Sequence, residues 1–249
     1  IIIGIAAVLI TVGIGSGAAA SITAQIESSG TNLLTISSGA RGSASSTLTM
    51  ADAEVLGNQD RFPTISLIAP QYSSQTTVAN GSTEGTYQVV GTAAAYAEIR
   101  SLELASGAFL QDSETGANNY TVVLGDTVAT DLFGGLDPIG ESVRIDDALF
   151  QVIGVLEASG SSGFGSSDSQ VYVPINTALG RLFNASRYRG SYTISSISVQ
   201  VADKTELDAT ETQVEQVLRL RHGLDADDDN DFQISNQADL LEMASTVSG

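Results

Sequence analysis

The chain has 249 residues, with 29 Asp and Glu against 10 Lys and Arg, a formal net charge of −19. It has no cysteine, no tryptophan and one histidine, His222. A surface this negative repels phosphate backbones, which argues against nucleic acid as a partner. Without Cys there is no disulfide framework, zinc–thiolate site or thiol nucleophile. Hydrophobic residues make up 42% of the chain, enough at this length for one or two real cores, so disorder is not the default.

All charged side chains lie from Glu27 onward, and the first 26 residues carry none. Ile1 to Ile14 is apolar with Thr11 as its one polar break, shorter than the roughly 20 residues a bilayer-spanning helix needs. Three readings compete for this head. Gly13-Ile-Gly15-Ser-Gly17-Ala18 fits a dinucleotide fingerprint, but Asn32 to Met50 lacks the acidic residue expected about 20 positions on. Ala18-Ala19-Ala20 resembles a signal-peptide cleavage site, although no basic stretch precedes it. The third reading is favoured: the outer half of a transmembrane helix continuing as a stalk. Ile14, Ala18, Ile22 and Ile26 recur every four residues as one apolar stripe, with Ser21, Gln25 and Glu27 off it.

After the stalk, Gly30 to Ile36 reads as a short strand and Ser37 to Thr47 as a Ser/Gly/Ala-rich loop. Thr49, with Asp52 three residues on, marks a helix start for Met50 to Leu56. Ile65 to Ala69 and Gln75 to Val78 read as strands interrupted at Pro70, and Asn80-Gly81 as a hairpin turn returning along Thr86 to Thr92. Leu102 to Phe109 is strand and turn, Gln111 to Asn119 a polar loop, and Tyr120 to Leu124 a buried strand followed by a helix over Thr127 to Phe133. Ser142 to Ile145 and Leu149 to Leu156 flank Asp146-Asp147 as a hairpin. Gly160 to Ser169 is a Gly/Ser loop, Val171 to Val173 a strand, and Pro174 leads to a helix from about Asn176 to Phe183. Tyr192 to Val201 alternates as a strand. Asp203 and Glu206 have capping-box spacing for a helix to Arg221 that Gly223 stops. Asp231 to Ser235 is a short strand, and Asn236 with Asp239 begins a final helix. Strands and helices mix without a strict βαβ repeat, which predicts an α+β fold.

No catalytic, cofactor-binding or metal-ligating residue is assigned. His222 is the one base available to a Ser-His-Asp triad, but no Ser sits in a G-x-S-x-G elbow. A structural or solvent-exposed histidine near a helix C-terminus is the expectation. Asp225 to Asp231 clusters five carboxylates, yet Asn230 and Asn236 stand where a calcium loop requires Gly and Glu, so a solvated acidic loop is expected. Arg181, Arg187 and Arg189 interleave with Phe183, Tyr188 and Tyr192. They suit an anionic partner, but neutralising nearby acids is the favoured role. Asn80, Asn119 and Asn184 head glycosylation-type triplets and mark exposed loops. Gly91, Gly107 and Gly154 are read as backbone requirements of strand ends or interruptions.

Several segments, in order, resemble the extracytoplasmic core of MacB-like and FtsX-like ABC transporter permeases. They are Gly30-Thr-Asn-Leu-Leu-Thr-Ile36, Leu104-Ala-Ser-Gly-Ala-Phe109, Val122-Val-Leu-Gly125 with Leu132-Phe-Gly134, and Pro138-Ile-Gly140. Phe150 to Leu156, Val171-Tyr-Val-Pro174 with Thr177-Ala178, and Arg221-His222 ahead of Asp231-Phe232 complete the set. The resemblance implies a two-part extracytoplasmic domain on a membrane-emerging stalk helix, held outside the cell membrane. Residues 1–29 would be the end of a transmembrane helix and stalk, and 30–93 plus 190–235 a porter-like subdomain. Residues 94–189 would be an inserted mixed α/β subdomain, and 236–249 a helix leading to the next transmembrane segment. It further implies no enzyme activity in this part, a cytoplasmic ABC ATPase, a second permease copy as a dimer partner, and an extracytoplasmic adaptor protein. The domain would transmit ATP-driven conformational change for export or extraction of a substrate. No G-x-x-x-x-G-K-[ST] loop occurs in the chain, so nucleotide hydrolysis is expected elsewhere. A secreted or membrane-tethered ligand-binding protein is the reading from a different class.

Overall fold

The computed structural model describes residues 32–39, 48–111, 119–160 and 166–236. The apolar head, its stalk stripe and the helix expected after Asn236 lie outside these residues, and among the described residues no helix is long and apolar enough to cross a membrane. In chain order the strands are β1 (Leu33–Ser38), β2 (Ile65–Asn80), β3 (Thr83–Thr92), β4 (Leu104–Gly107), β5 (Thr121–Leu124), β6 (Ser142–Ile145) and β7 (Ala148–Leu156). They continue with β8 (Gln170–Pro174), β9 (Arg187–Tyr188), β10 (Ser191–Tyr192), β11 (Ser196–Val201) and β12 (Phe232–Asn236). The helices are α1 (Met50–Leu56), α2 (Ala95–Ile99), α3 (Asp126–Phe133), α4 (Ile175–Thr177) and α5 (Leu207–His222). The α+β class is thus observed.

Alternation along β1 and β11 decides which face each helix covers. Leu34 and Ile36, with Ile197, Val199 and Val201, point to one face of the sheet β12-β1-β11-β2, where Leu56 of α1 and Leu207, Val214 and Leu218 of α5 pack on them. Odd and even residues of a strand face opposite ways, so Leu33 and Ala69 point to the other face. There they meet Tyr96 and Ile99 of α2 and the Phe109 and Tyr172 rings. All pairings of β12, β1, β11 and β2 in this sheet are antiparallel.

The chain comes in and goes out at the same end of this sheet. Leu34 lies opposite Asn236, and Leu33 opposite Gln200, which neighbours the pairing of Val201 with Ile65. From that end β2 runs 16 residues away to the Asn80-Gly81 turn, about 50 Å at strand rise. Its first half pairs with β11 and its second half with β3.

Beyond this point β3, β8, β5 and β7 continue the sheet, and β6 pairs with β7 on one side and with Val78 and Ala79 of β2 on the other. Six strands therefore close on themselves. Val78, Val89, Val122, Val143, Phe150, Val152 and Val171 line the enclosed core with Val128 and Leu132 of α3. The pairings β3/β8 and β5/β7 are parallel.

Pro70 does not interrupt β2 as the sequence suggests. The Pro70 carbonyl accepts from Thr92 Oγ1, so its nitrogen faces the β3 side, where ladder pairing starts only at Tyr72. The missing N–H costs no ladder bond there. Nor does a regular helix run from Asn176 to Phe183: α4 ends at Thr177 and a π turn carries Ala178–Leu182. Asp203 accepts from Thr205 N at 2.8 Å and opens a 3₁₀ turn, Lys204–Glu206, before α5 proper. α5 stops at Gly223, whose φ of 75° is open to glycine. The short helix α2 and the β9–β10 hairpin are absent from the sequence reading.

Candidate functional site

Two places gather the side chains that the fold leaves with chemistry to explain. The first is a buried ionic knot where α1, the end of α5 and the lead into β12 meet. The Thr49–Asp52 cap forms: Thr49 donates to Asp52 Oδ2 through its N–H at 2.9 Å and its hydroxyl at 2.6 Å. Arg221 Nε donates to Asp52 Oδ1 at 2.6 Å, and His222 Nε2 lies 3.4 Å from Oδ2. The other ring nitrogen, Nδ1, is 2.7 Å from Asp231 Oδ1. The His222 side chain is 3% exposed and Asp52 4%, and Phe232 meets the imidazole edge-on.

Burial pushes the Asp52 carboxyl up, but hydrogen bonds from His222, Thr49 and Arg221 outweigh it and hold the group well below the usual carboxylate range. Burial likewise opposes charge on His222, and the bonds to Asp52 and Asp231 overturn it, so the imidazole is held above its usual 6.5. Both shifts favour the charged form of the group. Arg189, from the turn between β9 and β10, donates to the carbonyls of Arg221 and His222 at 2.8 and 3.4 Å. It thereby caps the last turn of α5, where carbonyls lack helical partners. A small pocket of about 90 Å³, lined by Thr49, Asp52, Tyr188, Arg189, Ser191 and Arg221 among others, opens over the knot.

His222 is therefore structural and buried rather than exposed, and no serine completes a triad among its partners. The acidic run 225–231 is organised by Arg219, which donates to the carbonyls of Asp225 and Asp228 and to Asn230 Oδ1. Among the described residues no group of three or more His, Asp or Glu is placed to hold a metal ion. Among the described residues Arg187 and Arg189 form no direct ion pair with a carboxylate. Arg187 covers the Tyr192 ring at 4.0 Å and donates to the Gly190 carbonyl, while Arg189 stacks near Tyr188 and serves the α5 carbonyls. Their guanidinium donors serve backbone carbonyls instead. The sequence singles out Thr49, Asp52, His222 and the acidic run separately. Their meeting across 169 and 170 residues has no local pattern to announce it.

The second place is the far end of β2. The Asn80-Gly81 turn, the end of α3 and the β6–β7 hairpin gather there, since Asn80 Nδ2 donates to the Leu132 carbonyl and Val78 pairs with Ile145. Leu136 is 76% and Leu149 66% exposed. The acids Glu84, Asp131, Asp137, Glu141, Asp146 and Asp147 on these elements and their flanks are exposed too, as is Arg144. Exposed leucines on elements at the far end of β2 have the character of a contact surface.

A sheet in which β1 starts and β12 ends on one side, with a closed strand ring at the other and buried charges that fasten elements together, defines an α+β domain. The chain belongs to the MacB-like periplasmic core domain family, which it matches over residues 1–217. It is 34% identical over 99% of its length to a macrolide export ATP-binding/permease protein MacB of Azoarcus sp. (strain BH72), and 35% over 98% to that of Rhodospirillum rubrum. In each case it spans 36% of the relative, about a third of the length of the curated proteins it matches. The crystal structure of the periplasmic region of MacB from Actinobacillus actinomycetemcomitans superposes with a TM-score of 0.73 at 25% identity, covering 88% of this chain and 95% of that one. The extracellular domain of the Gram-positive transporter YknZ shares the fold, with a TM-score of 0.64 at 20% identity, covering 82% of this chain and 100% of that one. The domain is thus an extracytoplasmic one of a membrane ABC permease family.

Proposed function

We propose that this domain transmits ATP-driven conformational change from the membrane to the extracytoplasmic side, for export or extraction of a substrate. The observation that carries the reading is the antiparallel pairing of β1 with β12. It sets the two connections of the domain side by side, so displacement of either reaches the sheet directly. β11 and the long β2 extend that sheet to the distal ring. In this reading residues 1–29 and 236–249 lead to membrane helices. Residues 30–93 plus 190–235 form the porter-like part and 94–189 the inserted part.

ATP hydrolysis belongs to a cytoplasmic ABC ATPase, in line with the ATP-binding/permease names of the relatives. Two permease copies act as a pair, and an extracytoplasmic adaptor protein meets the Leu136–Leu149 end. The exposed acids of that end suit a partner presenting apolar side chains among basic ones.

Because the chain has no cysteine, Leu149→Cys in a full-length protein made cysteine-free elsewhere carries one spin label per copy. Pulsed dipolar spectroscopy should show the distance distribution between copies shift when ATP is added and return after hydrolysis. An unchanged distribution, with ATP turnover intact, would refute the transmission role.

A further inference from the structure

With no cysteine and one histidine, the chain has a single side chain whose ordinary pKa falls between roughly pH 5.5 and 8. That side chain sits in the ionic knot. Both of its ring nitrogens face carboxylates, Nδ1 at 2.7 Å from Asp231 and Nε2 at 3.4 Å from Asp52. A neutral imidazole has one N–H, so it serves one carboxylate and turns a lone pair toward the other. Only the protonated ring donates to both.

The charged groups around it come from every element packed there. Asp52 comes from α1, Arg221 from the same turn of α5, and Asp231 from the lead into β12. Arg189 reaches the His222 carbonyl from the β9–β10 turn, and the Tyr188 hydroxyphenyl lines the pocket above.

We propose that His222 is a proton-controlled clasp: protonated, it ties the end of α5 to both α1 and β12; deprotonated, it releases the α1–α5 seam. The side that releases follows from the geometry. The remaining proton stays on Nδ1, where the bond to Asp231 is short, and the Nε2 lone pair is left against the buried Asp52 carboxylate. Arg221 and Thr49 still hold Asp52, so the seam loosens without the domain unfolding. The pocket lies directly over this contact and gives water a way in.

The sign is set by the direction of the His222 shift. Its folded pKa lies above the ordinary 6.5, so the contribution is fully present below that value and is lost as pH rises through the folded value. The clasp is closed below the ordinary 6.5 and opens as pH rises through the raised folded value. An extracytoplasmic domain meets such changes directly. The device stands on its own geometry and holds whether or not the domain transmits motion.

Hydrogen–deuterium exchange on the full-length protein in nanodiscs, from pH 6 to 9, tests it through protection factors for residues 50–57 and 217–224. In the wild type these should fall at least tenfold in one transition while the closed-ring strands stay constant. His222→Gln, neutral throughout, should remove the transition and hold both segments at the alkaline level. Asp231→Asn takes away one carboxylate and should move the transition to lower pH. A flat wild-type profile, or a His222→Gln protein that keeps the transition, overturns the clasp. Should His222→Gln fail to fold, an Asp231→Asn midpoint equal to the wild type's overturns it equally.

Discussion

At the scale of single residues, Asp52 does two jobs that the sequence shows as one. The Thr49-x-x-Asp52 spacing announces a helix cap, which is worth about 1 kcal/mol. The structure adds Arg221 and His222 to the same carboxylate, and removing one partner of a buried ion cluster costs about 3 kcal/mol because the others stay behind uncompensated. In a fragment of residues 32–236, urea midpoints should show Asp52→Ala losing about three times the stability that Thr49→Ala loses. Equal losses would reduce the knot to a cap. The acid side gives a second check. Asp52 titrates below its usual 3.8 when folded, so its contribution is present above that value and disappears as pH falls through the depressed one. The gap between wild type and Asp52→Ala should therefore close on acidification below about pH 3.8, and a constant gap would contradict the ionic account. Asp52 was legible because a cap is local. Its partners were not, since a contact between residues 52 and 221 depends on how two helices pack.

At the scale of elements, periodicity exposed most strands, and the misreadings have physical causes. Proline reads as a break, yet β2 passes through Pro70 because the side lacking N–H had no ladder partner to lose. Gly91 reads as a strand-end glycine and is the penultimate residue of β3, but packing rather than backbone geometry explains it. A Cβ there would stand 2.3 Å from the Ala178 Cβ and 3.5 Å from the Ile175 Cα, so glycine lets β3 and the α4 turn touch. Gly154, opposite Gly107, is similarly tight, with a Cβ position 2.3 Å from the Ala108 carbonyl oxygen. Gly91→Ala should consequently cost about 1–3 kcal/mol by overpacking. Gly180, in the π turn of the same connection, has its nearest neighbour at 3.5 Å, the Tyr192 hydroxyl. Gly180→Ala should be neutral or stabilising by up to about 1 kcal/mol. Thermal melts of the two variants decide the matter: a mild Gly91→Ala with a harmful Gly180→Ala would mean that backbone freedom, not contact, governs both positions.

At the scale of the whole molecule, class and family were legible from the order of short motifs, because the motifs are spread along nearly the whole chain. The closure of six strands through β6 was not, since it rests on two residue pairs with β2 that no spacing encodes. Net charge, by contrast, is read from the sequence alone and acts on the whole. At −19 the body repels itself, and six exposed acids, Glu84, Asp131, Asp137, Glu141, Asp146 and Asp147, fall on the elements of the distal end and their flanks. The cation set is small, a single Lys204 and nine arginines, and Arg219 and Arg221 are committed to the α5 terminus and the knot. Added salt has to act on the surface acids, because the screening length shortens from about 30 Å at 0.01 M to about 3 Å at 1 M while buried pairs are little screened. The thermal midpoint of the 32–236 fragment should therefore rise by roughly 3–6 °C across that range of NaCl, the response to a gain of about 1–2 kcal/mol at this length. Asp146→Asn with Asp147→Asn should start from a higher midpoint at low salt and gain less on addition. The knot variant Asp52→Ala should keep the full salt response, since its charges lie inside. A midpoint that falls with salt would mean that surface ion pairs outweigh the excess of acid, and the electrostatic picture of the distal end would go with it.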